Sequence, residues 1–162
     1  MTRLPETVKL LVAGSGGAAS QRAPEYYVEL AAALGIAHRC AWDLRYIPDA
    51  ETGNLFEAAD HILLTYSAKF RSASGVLNTA VACRKSVLAS SGEGPLKTAV
   101  EGYQLGIFVP PDDDEAILEG AMELLESAPV PDWDAYAREN SWERNAAEVI
   151  RAFECSIISG TM

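Results

Sequence analysis

The chain has 162 residues, 49% of them hydrophobic, with 23 acidic against 13 basic side chains and a formal net charge of −10. That length suits one domain with a full core, and the hydrophobic content excludes a disordered chain. The acidic excess argues against non-specific nucleic-acid binding, which needs Lys and Arg to neutralise phosphates, although Lys69, Arg71, Arg84, Lys85 and Lys97 make the middle of the chain locally basic.

Residues 8–13 (Val-Lys-Leu-Leu-Val-Ala) read as a strand that stops at Gly14. Gly14-Ser15-Gly16-Gly17-Ala18-Ala19 fits the glycine fingerprint G-x-G-x-x-A. A dinucleotide site also needs an immediate helix and an acid about 20 residues on. Here Pro24 delays the helix and Asp43 comes late, so the stretch reads as a flexible loop. Residues 25–34 form an amphipathic helix stopped by Gly35, and 36–42 a second strand. A loop over 43–49 ends at Pro48 with Asp49 as helix cap, and a short helix closes at Asp60. Residues 61–66, nearly all apolar, read as a strand covered on both faces.

The stretch 72–100 organises the rest. Its Ser and Gly residues predict a loop, then a helix capped by Ser74, a buried strand at Val87-Leu88-Ala89, and a turn at Ser91-Gly92-Glu93-Gly94-Pro95 that opens another helix. Gly75 permits close approach of a ligand to the helix start, where free N–H groups suit phosphate. Ordinary helix capping accounts for the same Ser74 and Gly75. Two such turns at one sheet edge form the crevice in which open α/β sheets bind ligands.

Residues 106–109 form a fifth strand, ended by Pro110-Pro111. Asp112-Asp113-Asp114 opens the next helix (115–126), where acids favour the N-terminal dipole, and reads as capping rather than a metal site. Further helices occupy 134–139 and 142–158; the last presents Trp142, Ala146, Val149, Ile150 and Phe153 at helical spacing, as core or docking surface. The five alternations predict an α/β domain: a Rossmann-like parallel sheet of about five strands with helices on both faces, a single unit over 1–162 with C-terminal helices from about 132 to 158.

Cys40, Cys83 and Cys155 are widely spaced, with no Cys-x-x-Cys and only His38 and His61 to join them. They read as reduced thiols of a cytoplasmic protein rather than zinc ligands. The N-terminal residues lack a signal-peptide apolar core, and no apolar run has membrane-spanning length.

The ordered motifs resemble the C-terminal domain of retaining glycosyltransferases of family 4, the group 1 enzymes of the two-domain GT-B fold, over about residues 8–153. They are residues 8–16, Tyr46-Ile47-Pro48-Asp49, Leu55-Phe56-Glu57-Ala58-Ala59-Asp60, residues 80–90, Leu105-Gly106-Ile107-Phe108-Val109-Pro110-Pro111-Asp112-Asp113, and Ser141-Trp142-Glu143. The resemblance implies a domain that holds a nucleoside diphosphate sugar. Ile47 and Asp49 would lie at the base, and Ser72, Ser74, Gly75 and Val76 at the diphosphate. The family's two acids fall on Arg71 and Thr79, neither of them acidic. Arg71 either pairs with phosphate as a bidentate donor or is a solvated loop arginine; Thr79 offers one hydroxyl. The family's domain also opens with a further strand ending in Gly-Arg and a helix preceded by Lys-Gly, and follows an acceptor domain; this chain begins after that segment.

These readings set the expectations. The chain is a donor-binding domain, excised or naturally short, whose complete enzyme would transfer a glycosyl group with retention by electrostatic stabilisation of the leaving diphosphate. It is inactive without an N-terminal acceptor domain and needs neither metal nor other cofactor. No general base is identifiable; His61 reads as a core or surface residue. Its partners are the nucleoside diphosphate sugar and either a separate N-terminal domain or a second copy through exposed apolar surface, with no nucleic acid and no integral membrane segment. The alternatives are a non-catalytic Rossmann-like binding or interaction module that has lost the chemistry, and an unrelated flavodoxin-like domain.

Overall fold

A computed structural model describes residues 1–16 and 22–159, with side chains to residue 154. The chain runs β1 (Leu10–Ala13), α1 (Pro24–Ala33), a 3-10 turn (Ala37–Arg39), β2 (Cys40–Asp43), α2 (Asp49–Glu57), β3 (His61–Thr65), α3 (Gly75–Ala82) and β4 (Ser86–Ser90). It continues with α4 (Pro95–Gly102), β5 (Gly106–Phe108), α5 (Asp114–Glu126), α6 (Trp133–Glu139) and α7 (Trp142–Ser159).

Local chemistry accounts for most boundaries. Pro24 opens α1, where its missing N–H costs nothing, and Gly35, at φ +72°, follows its end in the left-handed conformation of a C-terminal stop. Asp113 caps α5 by accepting from the N–H groups of Glu115 and Ala116, and Asp132 caps α6 through Ala135 N–H. Two expectations fail. Asp49 does not cap α2: Pro48 occupies the cap position at φ −63°, ψ 147°, and Asp49 is the first helical residue, where its charge favours the dipole. Residues 36–39 are not strand but a turn that buries Arg39.

All five strands pair in parallel, but among the described residues they form two sheets, β1-β2 and β3-β4-β5, rather than one. β1 and β3 each keep one unpaired edge. The core belongs to the larger sheet. On one face, α3, α4 and α6 cover Leu64, Val87 and Ala89 with Leu77, Leu96, Val100 and Tyr136. On the other, α5 covers Leu88, Ile107 and Val109 with Ile117, Ala121 and Leu124. Helices thus lie on both faces, as the alternation predicts.

β3 is not covered on both faces. Leu64 is 2% exposed while its neighbour Leu63 is 51% exposed, although Leu63 sits in register with the buried Leu88. α5 reaches Leu88 and stops short of β3. α7 carries Trp142, Val149, Ile150 and Phe153 exposed, so its apolar stripe is outside the core. No helix among the described residues is long and apolar enough to cross a membrane.

Candidate phosphate-binding edge at the carboxyl ends of the strands

The loop that follows β3 is shaped by a chain of hydrogen bonds to the turns after β4 and β5. Tyr66 N–H donates to the Ser90 carbonyl (3.0 Å) and Ser90 Oγ to the Tyr66 carbonyl (2.9 Å). Gly92 N–H donates to the Phe70 carbonyl (2.9 Å). The backbones touch closely: a Cβ on Gly92 would lie 2.3 Å from the Ala68 carbonyl oxygen, and one on Gly94 2.7 Å from that of Arg71. Only glycine allows this approach. Asp112, after β5, accepts from Ala68 N–H at 3.0 Å while itself adopting φ +60°.

The starts of α3 and α4 therefore share one edge. Ser74, 4% exposed, accepts from Leu77 N–H, and its hydroxyl shares a hydrogen bond with that of Tyr66 (3.2 Å). Tyr66 and Phe70 stack beside it, centroids 4.1 Å apart. α4 begins at Gly94 with no side-chain cap on its first turn, in which Pro95 has no N–H to donate. Arg71 and Ser72 are exposed on the loop, and neither Arg71 nor Lys69 has an ion-pair partner among the described residues. An uncapped helix start, a glycine-lined backbone and unpaired cations are what an anion requires.

The sequence-predicted residues divide into two groups. Arg71, Ser72, Ser74, Gly75 and Val76 come together at this edge, with Gly75 open above: a Cβ there meets nothing within 4 Å. Thr79 lies one turn into α3, half-buried, its hydroxyl donating to the Gly75 carbonyl (3.4 Å). Ile47, half-buried, and Asp49, exposed, sit at the start of α2 after β2. There Arg45 pairs with Asp43 and Glu51; Glu51 is held below the ordinary carboxylate range, chiefly by its hydrogen bond to Arg45. The second half of the glycine fingerprint, residues 17–19, lies outside the described residues. Sequence reasoning missed the Tyr66–Phe70 stack and the Asp112 clip. An aspartate directly after Pro110-Pro111 was the available signal for the second, but it was read with its neighbours as a helix cap.

Fold and edge together define a parallel α/β domain with helices on both faces. The sequence matches the family described as glycosyl transferases group 1 over residues 1–149, and the chain belongs to that family. Its fold is that of GT-B enzymes. It is similar to Anabaena HepE, solved in complex with UDP (TM-score 0.75, 16% identity, covering 95% of this chain and 43% of that one). It is also similar to the sucrose-phosphate synthase of Thermosynechococcus elongatus (0.69, 20%, 94% and 39%). A third similar structure is WaaG, a glycosyltransferase involved in lipopolysaccharide biosynthesis (0.62, 23%, 85% and 36%). The chain thus spans less than half the length of each. No curated protein matches the sequence significantly.

Proposed function

We propose that this chain is the donor-binding domain of a retaining glycosyltransferase, holding a nucleoside diphosphate sugar. The observation that carries the reading is the convergence of the α3 and α4 starts with Arg71 at one edge. Diphosphate would sit on the N–H groups of residues 72–76, with Arg71 as a bidentate cation. Ile47 and Asp49 would face the base and Thr79 the ribose. The UDP in HepE agrees with this class of ligand. Stabilisation of the leaving diphosphate by these fixed dipoles and charges is the domain's contribution to transfer. An acceptor domain outside residues 1–162 completes the enzyme, so the isolated chain is expected to show no turnover.

The test is calorimetry with UDP, GDP, ADP and their sugar conjugates, comparing the chain with Gly75→Trp, whose indole would fill the open space above α3. Saturable binding that the substitution abolishes supports the reading. No binding by any of them at millimolar concentration overturns it and favours the second reading, a non-catalytic module. That alternative rests on Arg71 and Thr79, neither of them acidic, at the positions where the resemblance places the family's two acids.

A further inference from the structure

An open cleft of about 430 Å³ lies between α3, α6 and the start of α7, and none of the donor-edge residues lines it. We infer that this cleft is a second binding site, for a neutral saccharide. Trp142 stands on its rim with 86% of its surface exposed, and Trp133 lines the wall. An indole so exposed on a helix start is a flat platform whose negative ring face suits the weakly positive C–H face of a sugar ring. The polar groups beside it are uncharged or already neutralised. Arg84 and Asp134 pair with each other at 2.8 Å, so the cleft presents no net charge from them. Asn78 and Asn145 line it with amides.

A hydrogen bond orients one of these amides for a ligand. The Tyr136 hydroxyl donates to Asn78 Oδ1 at 2.6 Å, which fixes the amide and leaves its nitrogen, a double donor, without a protein partner among the described residues. Burial raises the Tyr136 pKa, which keeps that hydroxyl protonated and donating. The Asn145 side chain has no hydrogen-bond partner among the described residues either; its backbone N–H completes α7 at the Ser141 carbonyl. An aromatic platform, one oriented amide with a second beside it, and a cleft of small-molecule size match sugar hydroxyls and a pyranose face, not an anion. The two sites use different parts of α3: Ser74 and Gly75 at its start serve the donor edge, whereas Asn78, one turn in, and Val81 and Ala82 at its end line the cleft.

The probes are maltotriose, cellotriose and tri-N-acetylchitotriose, titrated into the full chain and followed by proton–nitrogen NMR. At least one is expected to shift the Trp142 and Trp133 indole signals and the Asn78 and Asn145 side-chain amides saturably. Trp142→Ala is expected to weaken that binding about tenfold or more, a loss within the range that ring stacking supplies. Trp142 belongs to neither hydrophobic cluster, so the dispersed spectrum is expected to stay intact. Asn78→Ala provides a second, independent loss. Gly75→Trp leaves saccharide binding unchanged, and Trp142→Ala leaves nucleotide binding unchanged, so the two sites fail separately. The inference is overturned if all three trisaccharides give no saturable shift at about 10 mM, a concentration that detects Kd values in the millimolar range. It is equally overturned if Trp142→Ala leaves the affinity intact.

Discussion

The β1–α1–β2 unit and the β3–α5 unit are built from the same grammar, parallel strands joined by helical crossovers, yet they are held together differently. Every buried residue of both hydrophobic clusters comes from β3 onward. In the first unit Leu11, Tyr26, Tyr27, Leu30 and Leu34 are exposed, and among its described residues the buried ones are Ala31 and Arg39. The Arg39 guanidinium, 2% exposed, donates to the carbonyls of Met1, Leu4, Pro5 and Val8, with Glu6 at 3.5 Å. One unit is thus fastened by apolar packing; the other by its β1–β2 ladder and a buried cation that binds a loop of backbone. Apolar composition stabilises only where neighbours exclude water from it; a fully buried leucine contributes about 1.5–3 kcal/mol and an exposed one nearly nothing.

The largest expected effect separates two adjacent residues of β3. Leu64→Ala is expected to cost about 2–5 kcal/mol, since it empties space under α3 that packing cannot refill. Leu63→Ala, on the open face, is expected to stay within about 0.5 kcal/mol. Denaturant midpoints at constant m-value read both, and equal losses would break the comparison. Next is Arg39→Met, expected to cost about 2–3 kcal/mol by leaving carbonyls without their charged donor. Its damage should be local: proteolysis within residues 1–10 should accelerate while amide protection in β4 persists. Loss of β4 protection together with the N-terminal segment would show that the units are one cooperative body.

Ser74→Ala is expected to cost about 0.5–2 kcal/mol through the lost α3 cap, with weaker nucleotide binding if α3 frays; Ser72→Ala, exposed and uncapping, serves as the neutral control. The smallest effect is electrostatic. Burial lowers the His61 pKa below its ordinary value, against the opposing pull of Asp60. The unfolded chain then binds the proton more readily than the folded one. Stability is complete above the unfolded pKa of about 6.5 and falls as pH drops below it toward the folded value. A small decline in denaturant midpoint between pH 7 and 5.5 that His61→Gln reduces would show it; an unchanged decline would assign it elsewhere.

Much of this architecture was legible in the sequence because it is encoded locally. Helix caps such as Ser74 and Asp113, the stop at Gly35 and the five strand–helix alternations depend on residues within a few positions of one another. The edge where α3 and α4 begin was legible for the same reason: its Ser and Gly residues lie in the loops between adjacent elements. The Asp49 cap was misread because Pro48, with its fixed φ, took the cap position first.

What only the tertiary structure decided concerns contacts between residues far apart in the chain. Leu63 and Leu64 are the same residue type in one apolar run, and their opposite burial follows from where α3 and α5 happen to lie. Arg39 looks like a surface arginine until residues 1–8 fold over it. Asp112 looks like a cap until the loop after β3 arrives 44 residues away to use its carboxylate. The division into two sheets is likewise invisible to pattern, since strand propensity reports alternation along a chain and not which edges meet. Periodicity and capping act through bonds between neighbours, so the sequence by itself determined the elements and their order. Burial, pairing and the clefts between helices depend on distant neighbours, and these the assembled fold alone decided.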